Sequence, residues 1–357
     1  MRVQAEPGCQ QQICGDWLAE RLIKVRSRGR RSAPAPGKSP MQTARDKSAE
    51  GVSFVVPVYN KAPYLPAVLE AIRAQRGGFA RQYVFVDDGS SDDSLALLRR
   101  LTRGWPDTVI ETQPNRGSAN ATNRGIALAE REYIKFVDAD DLLAFDATAR
   151  LLRALEGSDA CLAFGRAVRF DDSGSFDLAA PLPERPGVER LADPLSLAMK
   201  NSLFNPSQCL ARRTCVDAVG GCDESIVFSQ EYSLTLRLAG RWDFLRIDAS
   251  VAYLPVSAPG RLSDDAGRQL QRVTLACASY LRDHPRTPRA VARLACRRAA
   301  GRAWHFARRH LGAGIGSPWW RLVLRSRLGL VGQAPVFIDR CAEVYHRATA
   351  GDDKPAA

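Results

Sequence analysis

From Val52 onward the chain repeats one unit: a short apolar, β-rich run, a polar loop, then an amphipathic helical segment. The first run, VSFVVPVY, stops at Asn60 and leads into PYLPAVLEAIRAQ, where Leu65, Val68, Leu69 and Ile72 fall on one helical face. YVFVDDGS restarts the cycle with a buried strand at Tyr83 to Val86. Leu95, Leu97, Leu98 and Leu101 then mark a helix whose start is rich in Ser and Asp. VIETQP reads as a third strand, GSANATNRGIALAE as a third helix, and YIKFVDADD as a fourth strand that stops in acid. Strands and helices alternating at this spacing predict a parallel, doubly wound α/β sheet with ligands at the carboxyl ends of its strands.

The 357 residues, 45% hydrophobic and 25% charged, exclude a fibrous or wholly disordered protein. No run approaches the roughly 18 apolar residues of a membrane span, and the N-terminus lacks the apolar core of a secretory signal, so the expected location is the cytoplasm. Nine cysteines with no C-x-x-C spacing support neither a disulfide framework nor a zinc module; reduced, mostly buried thiols are expected.

Charge divides the chain into three. Residues 1–50 hold 10 basic and 5 acidic side chains, residues 51–260 hold 23 and 27, and residues 261–357 hold 18 and 7. The first block, with RSRGRRSAPAPGKSP, is expected to be a disordered basic leader, and Met41 is a second candidate start. The middle block holds the strand–helix units. The last is a basic, amphipathic helical region, from QLQRVTLACASYLRDH through ARLACRRAAGRAWHFARRH to SPWWRLVLRSRLGLVG. Paired Trp319 and Trp320 beside Leu, Val and Arg suit a lipid interface, so an anionic membrane surface is the expected partner of residues 261–357, at the inner face of the plasma membrane. Helices packed on the middle block with solvated Arg faces are the alternative. Without a helix-turn-helix, zinc-finger or RNA-stacking signature, nucleic acid is not an expected partner.

Two acidic clusters emerge at one sheet edge: Asp87 and Asp88 after one strand, and Asp138, Asp140 and Asp141 after another. The i,i+2 spacing of Asp138 and Asp140 lets two carboxylates approach one hard divalent cation and leaves room for water and phosphate oxygens.

VSFVVPVYN, VFVDDGSSDDS, NRGSANATNRGIALA and YIKFVDADD, in this order, resemble the family-2 glycosyltransferases, strongly over residues 51–145 and more weakly over 146–260. The resemblance implies a GT-A fold, a Rossmann-like doubly wound mixed sheet, with a nucleotide-sugar half at 51–145 and an acceptor half at 146–260. It implies an inverting enzyme that moves a sugar from a nucleoside-diphosphate sugar, UDP-linked by preference, to a glycan or lipid-linked acceptor with Mn²⁺ or Mg²⁺, in cell-surface polysaccharide or lipopolysaccharide synthesis.

Carried over residue by residue, the resemblance puts Pro57 and Tyr59, in the loop after the first strand, against the nucleobase, with Asp88 as its hydrogen-bonding acid. Asn115, Gly117 and Asn123 cover the diphosphate. Asp140 is the metal ligand, and Asp138 sits at the ribose or the metal. Glu231 in QEYSLTLRLA stands where the family's general base opens a helix. The sequence departs from the pattern at Thr122, where an Arg often holds the phosphates, and at Glu231, a Glu in place of Asp. These two positions motivate a rival reading, a catalytically impaired nucleotide-sugar or glycan-binding protein of the same fold. Arg116 and Arg124 are candidates to replace the missing Arg. Leu234, Leu236 and Leu238 are expected in the core.

Overall fold

The computed structural model describes residues 50–170, 177–179, 186–226, 230–256 and 266–349. The leader expected at 1–50 lies outside the described residues except for residue 50.

The alternation read from the sequence is what folds. β1 (Val52–Val58), α1 (Leu65–Arg73), β2 (Arg81–Asp87), α2 (Ser94–Leu101), β3 (Thr108–Thr112), α3 (Ser118–Leu128) and β4 (Tyr133–Phe136) follow one another, and β3, β2, β1 and β4 lie side by side, all parallel. Next come β5 (Leu142–Leu143), α4 (Ala147–Leu155), β6 (Leu162–Phe170), β7 (Val188–Leu191) and α5 (Pro194–Ala198). A 3₁₀ turn at Pro206–Gln208 leads into β8 (Cys209–Arg212), α6 (Arg213–Ala218), α7 (Gln230–Ala239) and β9 (Phe244–Pro255). Here the simple parallel pattern ends. β8 inserts antiparallel between β4 and β6, β9 runs parallel to β6, and β5 and β7 pair antiparallel with β9, so the sheet is mixed.

Side-chain alternation along the strands builds two cores. Phe54, Val56, Tyr83 and Phe85 pack with Leu65, Val68, Leu69 and Ile72 of α1, and with α4, on one face. Val55, Val84 and Val86 face the other, with Ala121 and Ile126 of α3 and Leu234, Leu236 and Leu238 of α7. Every one of these strand residues is buried because helices cover both faces, which explains runs of unbroken hydrophobicity instead of polar alternation. Phe85, with no exposed surface and Trp105 edge-on at 6.4 Å, is central to the first core. Phe85→Ala is expected to cost about 3–5 kcal/mol, read as a lower urea midpoint at unchanged slope.

The last four helices are α8 (Ala266–Asp283), α9 (Arg289–Leu311), α10 (Pro318–Arg327) and α11 (Ala334–Thr349). Their apolar faces continue the second core: Cys277, Ala300, Phe306, Trp319 and Tyr345 belong to the same cluster as Val84 and Leu236. α8–α11 are therefore part of the compact unit that contains the sheet. Trp319, expected at a lipid interface, is buried in this core, while Trp320 is half-buried. The seven cysteines among the described residues are free and buried, and none of the described helices is long and apolar enough to cross a membrane.

Candidate active site

The carboxyl ends of β1, β2 and β4 meet at one edge, and the loops there are fastened by the motif residues themselves. Ser90 Oγ accepts from the Asn60 amide at 3.0 Å, Ser94 Oγ from the Lys61 amide at 2.8 Å, and Asp92 Oδ2 from the Ala62 amide at 3.1 Å. The Ser and Asp of GSSDDS thus satisfy the backbone of the loop after β1, where Asn60 turns the chain at φ 52°. Pro57 lies inside β1 rather than in the loop beyond it, and Tyr59, the next-but-one residue, is 46% exposed, as a side chain offered to a ligand would be.

Asp88 is buried, and both of its oxygens hold the approach to α3. Oδ1 accepts from Gln113 Nε2 at 2.8 Å and the Arg116 amide at 2.9 Å, and Oδ2 from the Gly117 amide at 2.8 Å. The acid expected at the nucleobase therefore also ties β2 to the loop that carries Asn115 and Gly117. Gly89 lets these segments touch: at φ +72° a Cβ there would stand 2.9 Å from the Asn115 amide nitrogen. Asn115 itself is exposed, with its side-chain oxygen accepting from the Gly117 amide at 3.2 Å.

Asn123 is placed differently from the expectation that it covers a diphosphate. Its Nδ2 donates to the Cys222 carbonyl at 3.0 Å and Glu224 Oε1 at 2.8 Å, and its Oδ1 accepts from the Cys222 amide at 2.8 Å. The amide is committed to the loop ahead of α7, so Asn123 clamps α3 to the segment leading to Glu231. Gly221 permits this, since a Cβ at φ +70° would lie 2.4 Å from Asn123 Oδ1. Asn123→Ala is expected to cost about 1–3 kcal/mol of stability, because it leaves buried groups of that loop unpaired. Denaturant titration alongside turnover checks it, with transfer falling more than nucleotide affinity.

After β4 the chain turns through Asp138 and Asp140, with the Asp141 amide donating to the Asp138 carbonyl at 3.1 Å and the Asp138 amide donating to Ser207 Oγ at 3.0 Å. Two cations that motif reading missed stand behind and before this turn. Lys135 in β4 is fully buried, and its Nζ donates to the carbonyls of Ser207 at 2.6 Å and Phe136 at 3.1 Å. Burial draws its ammonium down to about 8, against the pull of negative Asp141 and Asp138. Lys61 Nζ lies 2.7 Å from Asp140 Oδ2 with both side chains largely buried. A lysine inside an apolar strand signals the first; the second is visible only as a basic residue directly after Asn60. Of the two arginines considered for the phosphates, Arg124 is bonded to Glu111 of β3, with N–O distances of 2.9 and 2.7 Å, and Arg116 is exposed.

Glu231 opens α7. Tyr232 anchors that turn through its hydroxyl, which donates to the Ala198 carbonyl at 2.7 Å, and Ser233 Oγ accepts from the Asp223 amide at 2.9 Å. Glu231, Leu234, Thr235 and Leu238, one helical stripe, line a cavity of water-molecule size whose other walls include Pro57, Thr122, Asp138 and Pro206. Thr122, in place of an Arg, is an uncharged part of this wall. Glu231 keeps only partial exposure; burial first, then the charge of Asp138, push its carboxyl up to about 7. Pro57, Asp138 and Glu231, 174 positions apart at the extremes, are thus brought to one cavity, whereas Asp88 ties the rim loop of Asn115 and Gly117 to β2, Tyr59 is exposed two residues beyond Pro57, Asp140 is paired with Lys61, and Asn123 is turned to the clamp.

Asp138 and Asp140 supply hard carboxylate oxygens, the donor type that Mg²⁺ and Mn²⁺ prefer. No cluster of three His, Cys, Asp or Glu forms among the described residues, so the remaining ligands would fall to donor phosphates and water. The pair is of the donor type for such a cation, and Asp140 is engaged by Lys61 Nζ at 2.7 Å.

Residues 53–219 match the profile of Glycosyl transferase family 2. Among curated proteins, the chain is 33% identical over 130 residues to Glycosyltransferase GlyG of Streptococcus pneumoniae, covering 36% of this chain and 43% of that protein. It is 31% identical over 98 residues to poly-beta-1,6-N-acetyl-D-glucosamine synthase of Staphylococcus aureus, covering 28% and 24%. The chain thus spans less than half the length of these relatives. Among solved structures, S. aureus TarS 1–349 in complex with UDP-GlcNAc superposes with a TM-score of 0.57 at 15% identity, over 83% of this chain and 92% of that one. Mannosyltransferase PcManGT of Pyrobaculum calidifontis, in complex with GDP-Man and Mn²⁺, superposes at 0.53 and 18% identity, over 89% and 92%. These likenesses extend the shared architecture, mixed sheet and flanking helices, well beyond the matched profile. With four motifs in order at the carboxyl edge of a GT-A sheet, residues 53–219 form a domain of glycosyl transferase family 2.

Proposed function

We propose that the chain transfers a sugar from a nucleoside-diphosphate sugar, UDP-linked by preference, to a hydroxyl of a glycan or lipid-linked acceptor, with inversion at the anomeric carbon, in the synthesis of a cell-surface polysaccharide or lipopolysaccharide. The observation that carries this reading is the meeting of Glu231, Asp138 and Pro57 around one cavity. Glu231 is positioned by its helix to take the acceptor proton while the hydroxyl oxygen attacks opposite the leaving nucleotide. Tyr59 and Pro57 wall the base, Asp88 holds the rim and accepts from the base, and Asp138 and Asp140 hold a divalent cation. That cation, when bound, neutralises the diphosphate and stabilises it as a leaving group. Poly-N-acetylglucosamine synthase as a relative, and TarS with UDP-GlcNAc as a structural neighbour, support a cell-envelope acceptor and a uridine donor.

Two observations favour the impaired, binding-only reading: Thr122 brings no cation to the cavity wall, and Lys61 already neutralises Asp140. Calorimetric titration with UDP and GDP, with and without Mn²⁺, followed by hydrolysis of the matching nucleotide sugars, separates the two. Metal-dependent binding with sugar release is the expected result. Binding without release, across acceptors as well as water, would favour the second reading, and absence of nucleotide binding would overturn both.

A further inference from the structure

The side of α10 turned from the core has an unusual composition. Trp319, Leu322 and Ser326 are buried, while Arg321, Leu324 and Arg325, with Leu328 just past the helix end, recur at i, i+3, i+4 and i+7 and are all exposed. The loops at either end extend the same character. Ile315, between α9 and α10, is 84% exposed, and Leu328 and Leu330, between α10 and α11, are 64% and 60% exposed. Six of the eleven large apolar side chains exposed among the described residues lie between Leu311 and Val336, a concentration that scattered surface leucines do not produce.

Charge selects the occupant. Residues 284–338 contain eleven arginines and no aspartate or glutamate. A face whose charged side chains on α10, Arg321, Arg325 and Arg327, are all positive matches a surface that is apolar below and negative above, with headgroup phosphates for the guanidinium groups and the acyl boundary for Ile315, Leu328 and Leu330. A second copy would bring the same positive charge against itself, and a nucleic acid would use the arginines but leave the apolar side chains in water.

We propose that the outer face of α10, with the loops at Ile315 and Leu330, docks the protein onto an anionic phospholipid surface. This corrects the sequence reading of the same region: the lipid-facing residues are aliphatic, and Trp319 serves the core. The proposal deepens the reading of a membrane-linked acceptor given above, but docking is measured without turnover, so either can fail alone.

The test is co-sedimentation of the full chain with phosphatidylcholine vesicles with and without phosphatidylglycerol, comparing the wild type with Ile315→Asp/Leu328→Asp/Leu330→Asp and with Arg321→Ala/Arg325→Ala. All five positions are exposed, and Arg325→Ala gives up only an exposed bond from its Nε to the Leu330 carbonyl at 3.2 Å, so thermal melting is expected to shift little. The wild type is expected to bind phosphatidylglycerol vesicles, and each variant to lose affinity by about tenfold or more. Absence of wild-type binding, binding indifferent to phosphatidylglycerol, or wild-type binding by the triple variant would each overturn the proposal. So would duplex DNA that displaces the vesicles and binds the triple variant as well as the wild type, or an apolar face occupied by a second copy, seen as a dimer that the triple variant abolishes with no vesicle binding by either.

Discussion

Glu231→Gln is expected to keep nucleotide affinity within about twofold and to lower transfer by about 10²–10⁴-fold, the usual contribution of a positioned general base. Gln preserves the length and shape of the side chain, so the packing of Leu234, Thr235 and Leu238 around the cavity is retained and only proton acceptance is lost. The pH profile gives the same assignment a second readout. Burial, helped by the charge of Asp138, raises the Glu231 carboxyl to about 7, and only its deprotonated form accepts a proton. kcat/KM is therefore expected to climb as pH rises through about 7 and to level above it. A cation bound beside Asp138 removes part of the raising influence and moves the rise to lower pH. The residual activity of Glu231→Gln should lack this limb. A rise that persists in the variant would move the base elsewhere.

Asp140→Ala is expected to weaken metal-dependent nucleotide binding by about 100-fold or more, about 3 kcal/mol of lost charge stabilisation. Two effects act in the same direction. The substitution removes a hard oxygen ligand, and it frees Lys61, which lies 2.7 Å from Asp140 in the wild type, to repel an incoming cation. Calorimetry at fixed nucleotide and varied Mn²⁺ separates them. Asp140→Ala/Lys61→Ala should recover the part due to repulsion and none of the part due to the missing ligand. Unchanged Mn²⁺ dependence in Asp140→Ala would take Asp140 off the ligand set.

The parallel half of the fold was legible because each element carries its own signal. VSFVVPV and RQYVFVD are continuous apolar runs, as strands covered on both faces must be, and Leu65, Val68, Leu69 and Ile72 reveal the buried face of α1 by periodicity. The antiparallel insertion of β8 was not. CLAR is four residues long in a stretch without periodicity, and its partners, β4 and β6, are set by contacts with Tyr133–Lys135 and Leu162–Phe164 rather than by anything local. The same distinction runs through the site. Asp138, Asp140 and Glu231 are proposed from motifs, and Asn123, with the same motif credentials, is bonded to Cys222 and Glu224. A short polar side chain on a helix takes whichever partner the tertiary fold presents, and its type does not encode that choice.

By itself the sequence determined the strand–helix alternation, the placement of carboxylates after buried strands, and the division of charge that leaves the C-terminal helices positive, since each depends on residues close together in the chain. The tertiary structure alone decided that Lys61 neutralises Asp140, that Lys135 is sealed behind Asp138, that Trp319 joins the core while Ile315 and Leu330 face outward, and that Glu231 shares a cavity with Pro57. Those outcomes join residues far apart in sequence, and they are set by which buried polar groups must find partners once the two cores close, a constraint that no local pattern carries.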